Sequence, residues 1–234
     1  MSFVVPKPEV VSARVFDTKE RFPVRRIFCV GRNYADHIAE MGGDPKSEQP
    51  IFFCKPADAL VTEDRPVRYP LATERLDHEV ELVVALKSGG VNILKTEADT
   101  CIFGYAVGID LTRRDLQGEA KRSGRPWDLA KSFDESAPVG MIMPRERVKL
   151  NLKTSISLSV NGLNKQLGTL GEMIWSVNEI IQVLSNFYRL QAGDLIFMGT
   201  PSGVGPLLPE DVVEASVQGL PPLTLRILDR GLVN

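Results

Sequence analysis

Apolar residues along this chain come in short runs separated by turn-forming residues, and only one stretch carries a well-marked amphipathic helix. Ile156, Leu158 and Val160 alternate with Ser155, Ser157 and Ser159, the period of a strand with one buried face. Asn161-Gly162 follows as a hairpin turn. Further strand signals fall at 27–30, 51–54, 79–86, 103–110, 195–198, 212–217 and 223–228. The clear helix opens after Ser176, where Ser176 and Glu179 form a capping box and Val177, Ile180, Ile181 and Leu184 line one face. A polar helix is expected over 112–121, and a short one over 34–41, stopped by Gly42-Gly43. Strands outnumber helices with no regular strand–helix–strand rhythm, so the expected class is α+β rather than a doubly wound parallel sheet. Residues 1–25 are rich in proline and charge without a clear period, and read as an extended arm before one domain over 26–234.

Several function classes are disfavoured early. A net charge of −2 leaves no electrostatic footprint for nucleic acid or an anionic membrane. No apolar run approaches the ~18 residues that a membrane-spanning helix needs. The first residues lack the basic region and apolar core of a signal peptide. Cys29, Cys54 and Cys101 are odd in number and form no Cys-x-x-Cys pair, which speaks against a disulfide scaffold or zinc ribbon and for a reducing compartment. Each is expected to be a small buried hydrophobe, and the expected location is the cytoplasm.

The candidate chemistry is carried by acids and a few cations. In His78-Glu79-Val80-Glu81, alternate residues of a strand share a face, so Glu79 and Glu81 would point the same way. Two buried carboxylates side by side call for a divalent cation, and oxygen ligands suit Mg²⁺, Mn²⁺ or Ca²⁺. A solvated strand face with two ordinary glutamates is the plain alternative. Asp110 ends an apolar run where a third ligand could stand, or it could equally cap the helix that follows. His37 and Glu40 are three apart on the expected short helix, which suits a general-base dyad or an incidental surface pair. Arg32, Lys55 and Lys131 are candidate anion binders or plain surface charges; Lys131, set among apolar residues, would need a partner for its charge. The 199–205 loop is no phosphate loop, since a following helix and a Lys-Ser/Thr ending are missing. It could still offer N–H groups and the Thr200 hydroxyl to a carboxylate, or be a plain glycine-rich turn.

Taken in order, VGRNYADH, FFCKPADA, DHEVELVV, GYAVGIDLTRRDLQ, WDLAKSFD and GDLIFMGTPSGVG resemble the fumarylacetoacetate hydrolase family from about Arg26 to Leu228. The likeness is strongest to its bacterial fumarylpyruvate-cleaving branch, and extends to the acylpyruvase and oxaloacetate decarboxylase branch. The resemblance implies a roll of strands around the active site with a few outer helices, assembled as a homodimer. It implies Mg²⁺ or Mn²⁺ on Glu79, Glu81 and Asp110, water activation by His37 and Glu40, and Lys131 holding substrate or developing charge. Arg32, Gln117 and Thr200 would lie at the substrate end, with a small dioxo acid as substrate. Decarboxylation on the same metal site and a non-catalytic metal-binding role are the alternatives.

Overall fold

The computed structural model describes residues 2–34, 49–62 and 65–231. The expected short helix over 34–41 falls outside these residues except for Tyr34, which forms an isolated antiparallel bridge with Met173. The class is α+β, with strands dominating and few helices.

Two sheets make the body. The first has six strands in the spatial order Met143–Pro144, Ile102–Ile109, Val80–Leu86, Asp194–Phe197, Arg26–Gly31 and Ile51–Lys55. It is mixed, because Asp194–Phe197 runs parallel to Arg26–Gly31 and the other neighbours are antiparallel. The second has five strands in the order Leu163–Thr169, Ser155–Val160, Val212–Val217, Leu223–Leu228 and Val67–Arg68. Asn161 and Gly162 turn the Ser155–Val160 hairpin with φ of 52° and 76°, the left-handed pair that Asn-Gly adopts most readily. A smaller three-stranded sheet sets Leu76–His78 between Thr112–Arg113 and Gly205–Leu207.

The alternation of side chains in the Val80–Leu86 strand sorts the core. Val80, Leu82, Val84 and Leu86 pack in one apolar cluster with Ile156, Leu158 and other inward residues of the five-stranded sheet. Val83 and Ala85 face the opposite way, into a second cluster with Ile27, Leu195 and Phe197. Ser12–Arg14 and Arg21–Pro23 form an antiparallel hairpin within the segment expected to be an extended arm. Its Ala13, Val15, Phe22 and Val24 are buried in the second cluster, whereas residues 2–10 are exposed. Proline and charge hid this hairpin because its strands are only three residues long.

The helix expected after Ser176 is Val177–Phe187, with both hydrogen bonds of its capping box formed. The polar helix is Arg114–Ser123, starting two residues later than expected because Thr112 and Arg113 pair with Leu76–His78. Of the cysteines, Cys29 and Cys101 are buried, but Cys54 is exposed, which corrects the expectation for that residue. Cys54 lies in the Ile51–Lys55 strand at the edge of the six-stranded sheet and is the one exposed residue of that strand.

Gly108 sits opposite Glu81 in the ladder. A Cβ there would lie 2.5 Å from Val83 Cγ2 and 2.7 Å from the Phe197 ring, so the sheet is closed over a position that admits no side chain. Gly108→Ala is expected to destabilise the fold by about 1–3 kcal/mol through overpacking. The check is urea unfolding: a lower midpoint at unchanged slope agrees, whereas a wild-type midpoint would show that the Phe197 ring can yield without cost.

Candidate metal centre

Register brings the three acids together. Val80 pairs with Ile109 and Glu81 with Gly108, so the same register carried one step further sets Glu79 opposite Asp110. Asp110 N donates to Glu79 O at 2.8 Å, completing that step, although Glu79 itself lies in a break between Leu76–His78 and Val80–Leu86. The expected single strand over 79–86 is thus corrected at its first residue, and Glu79 and Glu81 still share a cluster. One carboxylate oxygen from each of Glu79, Glu81 and Asp110 lies within 4.8 Å of the others, and all three residues are buried.

Three buried negative charges need compensation. Lys131, at the end of the short Asp128–Lys131 helix, is 2% exposed and reaches into the cluster. Its Nζ donates to Glu79 Oε2 at 2.8 Å, Asp110 Oδ2 at 2.6 Å and Thr112 Oγ1 at 2.6 Å. Arg114 Nη2 bonds Glu79 Oε1, while its Nε donates to Asp77 at 2.7 Å and its Nη1 to Gln117 Oε1 at 2.6 Å. Burial alone would lower the Lys131 pKa and raise that of Glu79. Asp110 and Glu79 reverse the first effect, and Lys131 and Arg114 the second, so the lysine is held well above its usual value and Glu79 well below.

Glu81 differs. Its Oε2 accepts from Gly199 N at 2.6 Å, but among the described residues no cation lies in salt-bridge contact with it. Burial, then the charges of Asp110 and Glu79, push its pKa well above the carboxylate range. Gly199 can approach because its φ is +89° and a Cβ would sit 2.8 Å from Asn33 Cβ. Among the described residues Asp110 Oδ1 makes no hydrogen bond, and it forms an ion pair with Lys55 Nζ at 2.9 Å. A carboxylate with no ion-pair partner among the described residues, three buried acid oxygens within 4.8 Å of one another, and an all-oxygen donor set together fit a hard divalent cation such as Mg²⁺ or Mn²⁺.

Above the acids opens a cleft walled by Arg32, Gln117, Lys121, Trp127 and Thr200. Arg32, Gln117 and Thr200, the residues expected at the substrate end, all line this cleft. Lys55 does not. It is 1% exposed, and its Nζ is directed at Asp110 Oδ1, Leu111 O and Lys131 O, so it supports Asp110 and the Lys131 helix from behind. An apolar strand ending in lysine gives no hint of that direction. His37 and Glu40 lie outside the described residues. Arg114, Thr112 and Gly199 were missed as supporting groups; the paired Arg113-Arg114 beside an acidic residue was the one available signal for the first.

Glu81 couples both folding and metal binding to pH. Its folded pKa is raised, so folding of the metal-free protein is favoured at low pH. That contribution is lost as pH rises from the ordinary carboxylate range through the folded value. Mn²⁺, by displacing the proton, should bind more tightly as pH rises and release protons on binding. Glu81→Gln should therefore stabilise the metal-free protein at neutral pH and abolish the rise in melting temperature caused by Mn²⁺. A variant that still gained stability from Mn²⁺ would remove Glu81 from the ligand set.

Residues 26–228 match the family described as fumarylacetoacetate (FAA) hydrolase C-terminal. Oxaloacetate tautomerase FAHD1 of Homo sapiens is 41% identical over 203 residues, 87% of this chain and 91% of that protein. Oxaloacetate tautomerase YcgM of Escherichia coli K12 is 41% identical over 208 residues, 88% of this chain and 94% of that one. Among solved structures, fumarylpyruvate hydrolase from Pseudomonas aeruginosa, in complex with Mn²⁺ and pyruvate, superposes with a TM-score of 0.94 at 42% identity, covering 97% of this chain and 99% of that one. With the match spanning most of its length, the chain belongs to the fumarylacetoacetate hydrolase family.

Proposed function

We propose that this protein is a divalent-metal-dependent hydrolase that splits the carbon–carbon bond of a 2,4-dioxo acid, with fumarylpyruvate as substrate and fumarate and pyruvate as products. The observation that carries this reading is the buried Glu79–Glu81–Asp110 cluster at the floor of a cleft whose wall includes Arg32, Lys121 and Thr200. The Pseudomonas aeruginosa relative, with Mn²⁺ and pyruvate in its structure, supports both the metal and a 2-oxo acid product.

Mg²⁺ or Mn²⁺ held by the three acids would supply Lewis acidity to the oxygens of a 2-oxo acid. The cationic wall would orient the anionic substrate. His37, oriented by Glu40, is assigned the proton of a water that attacks the 4-oxo carbon. That role rests on sequence and family resemblance, since both residues fall outside those described. The bond between C3 and C4 then breaks, and its electron pair leaves with the pyruvyl half. Lys131, kept cationic by Asp110 and Glu79, places a fixed positive charge beside that developing anion.

A second reading is supported by the two oxaloacetate tautomerases. They favour tautomerisation over the decarboxylation suggested by resemblance alone. Tautomerisation moves a proton between C3 and the 2-oxo oxygen and needs no attacking water, so the two readings part at the general base.

Turnover of fumarylpyruvate, acetylpyruvate and oxaloacetate, each with EDTA, Mg²⁺ or Mn²⁺, separates the readings. Metal-dependent loss of fumarylpyruvate with release of pyruvate is expected; tautomerisation of oxaloacetate alone would favour the second reading. His37→Ala should lower kcat for cleavage at least about a hundredfold, in keeping with a lost general base. Cleavage at the wild-type rate in that variant would dismiss the dyad.

A further inference from the structure

Gln166 stands in the Leu163–Thr169 strand, behind the cleft wall, and is 1% exposed. Two backbone groups settle which way round its amide lies. Val80 N–H can only donate, and it meets the Gln166 oxygen at 3.1 Å. The Pro201 carbonyl can only accept, and it meets the Gln166 nitrogen at 2.9 Å. The alternative amide orientation would set donor against donor and acceptor against acceptor.

Two side-chain consequences follow. His78 Nδ1 lies 2.9 Å from the same Gln166 oxygen, so that ring nitrogen carries a hydrogen. The remaining amide hydrogen goes to Thr200 Oγ1 at 2.8 Å. Thr200 therefore accepts on its inner side, and its own hydroxyl hydrogen must point elsewhere. No acceptor for it is formed by the described residues, and Thr200 lines the cleft. The loop is clamped in this position, since Gly203 has φ +91° and a Cβ there would lie 2.0 Å from Lys165 O.

We propose that Gln166 is a positioning residue: it fixes the polarity of the Thr200 hydroxyl so that the cleft offers a hydrogen-bond donor there, selecting ligands that present an acceptor oxygen. The substrate half of this inference rests on the 2-oxo acid reading above, with the acceptor being an oxygen of that anion. Gln166→Glu should reverse the arrangement. A carboxyl oxygen facing Thr200 has no amide hydrogen to give and draws the hydroxyl hydrogen inward, away from the cleft.

Calorimetric titration of pyruvate into the Mn²⁺-loaded protein tests it. Gln166→Glu and Thr200→Val should each raise Kd about ten- to a hundredfold, the worth of one hydrogen bond to a charged group. The double variant should be no weaker than either single one, and Thr200→Ser, which keeps the hydroxyl, should recover binding relative to Thr200→Val. Wild-type binding by Gln166→Glu, or additive losses in the double variant, would overturn the proposal. A ligand-free arm separates it from the function. In His37→Ala protein His78 is the sole histidine, and ¹⁵N shifts should show Nδ1 protonated; an Nε2–H tautomer overturns the Gln166 assignment. Failure of the wild-type Mn²⁺ protein to bind pyruvate, with the expected tautomer present, would instead sink the 2-oxo acid reading and keep the Gln166 geometry.

Discussion

One ammonium group organises the centre of this protein. Lys131 Nζ lies 2.8 Å from Glu79 and 2.6 Å from Asp110, two carboxylates that would repel one another without it. Burying one of these charges with its partner removed would cost about 3–5 kcal/mol, so lysine and acids stand as a unit. Lys55 reinforces the unit from the opposite side of Asp110, and Arg114 from the far side of Glu79. This compensation is what lets carboxylates sit in the interior, against a sheet whose other residues are almost wholly apolar.

The compensation is uneven, and the unevenness has chemical meaning. Among the described residues, Glu79 and Asp110 each contact cations, while Glu81 forms no ion pair and accepts a backbone N–H from Gly199. The protein thus holds together two of its acids by itself and leaves the third short of positive charge. A divalent ion would supply what is missing, drawing on oxygen donors from all three. Arg32, Lys121 and Thr200 line the cleft above, where the proposed anionic substrate would meet them.

The surrounding sheets serve as a rigid frame. Glu79 and Asp110 are linked through the backbone of one ladder, and Gly199 follows the strand paired on the other side of Val80–Leu86. Glycines at 108 and 199 let a ring and a backbone N–H approach where a side chain would intrude. Behind the cleft, Gln166 ties the first residue of the Val80–Leu86 strand to the Thr200 loop, so the five-stranded sheet helps orient the site as well as cover it.

Much of this was readable from the chain. Alternating Ser and apolar residues marked the Ser155–Val160 strand, Asn-Gly its turn, Ser176 and Glu179 a helix start, and the Glu-Val-Glu spacing two acids on one face. These features rest on periodicity and local hydrogen bonding, which near neighbours dictate. Local pattern could not show the short hairpin at 12–23, the inward course of Lys55, the exposure of Cys54, or the Gln166 link to Thr200. Each depends on which strands lie side by side and on where a long side chain finds its partners after the sheets close. The sequence by itself determined the kinds of donors and their order; only the tertiary structure decided which charges meet, because that choice is made by register and burial between segments far apart along the chain.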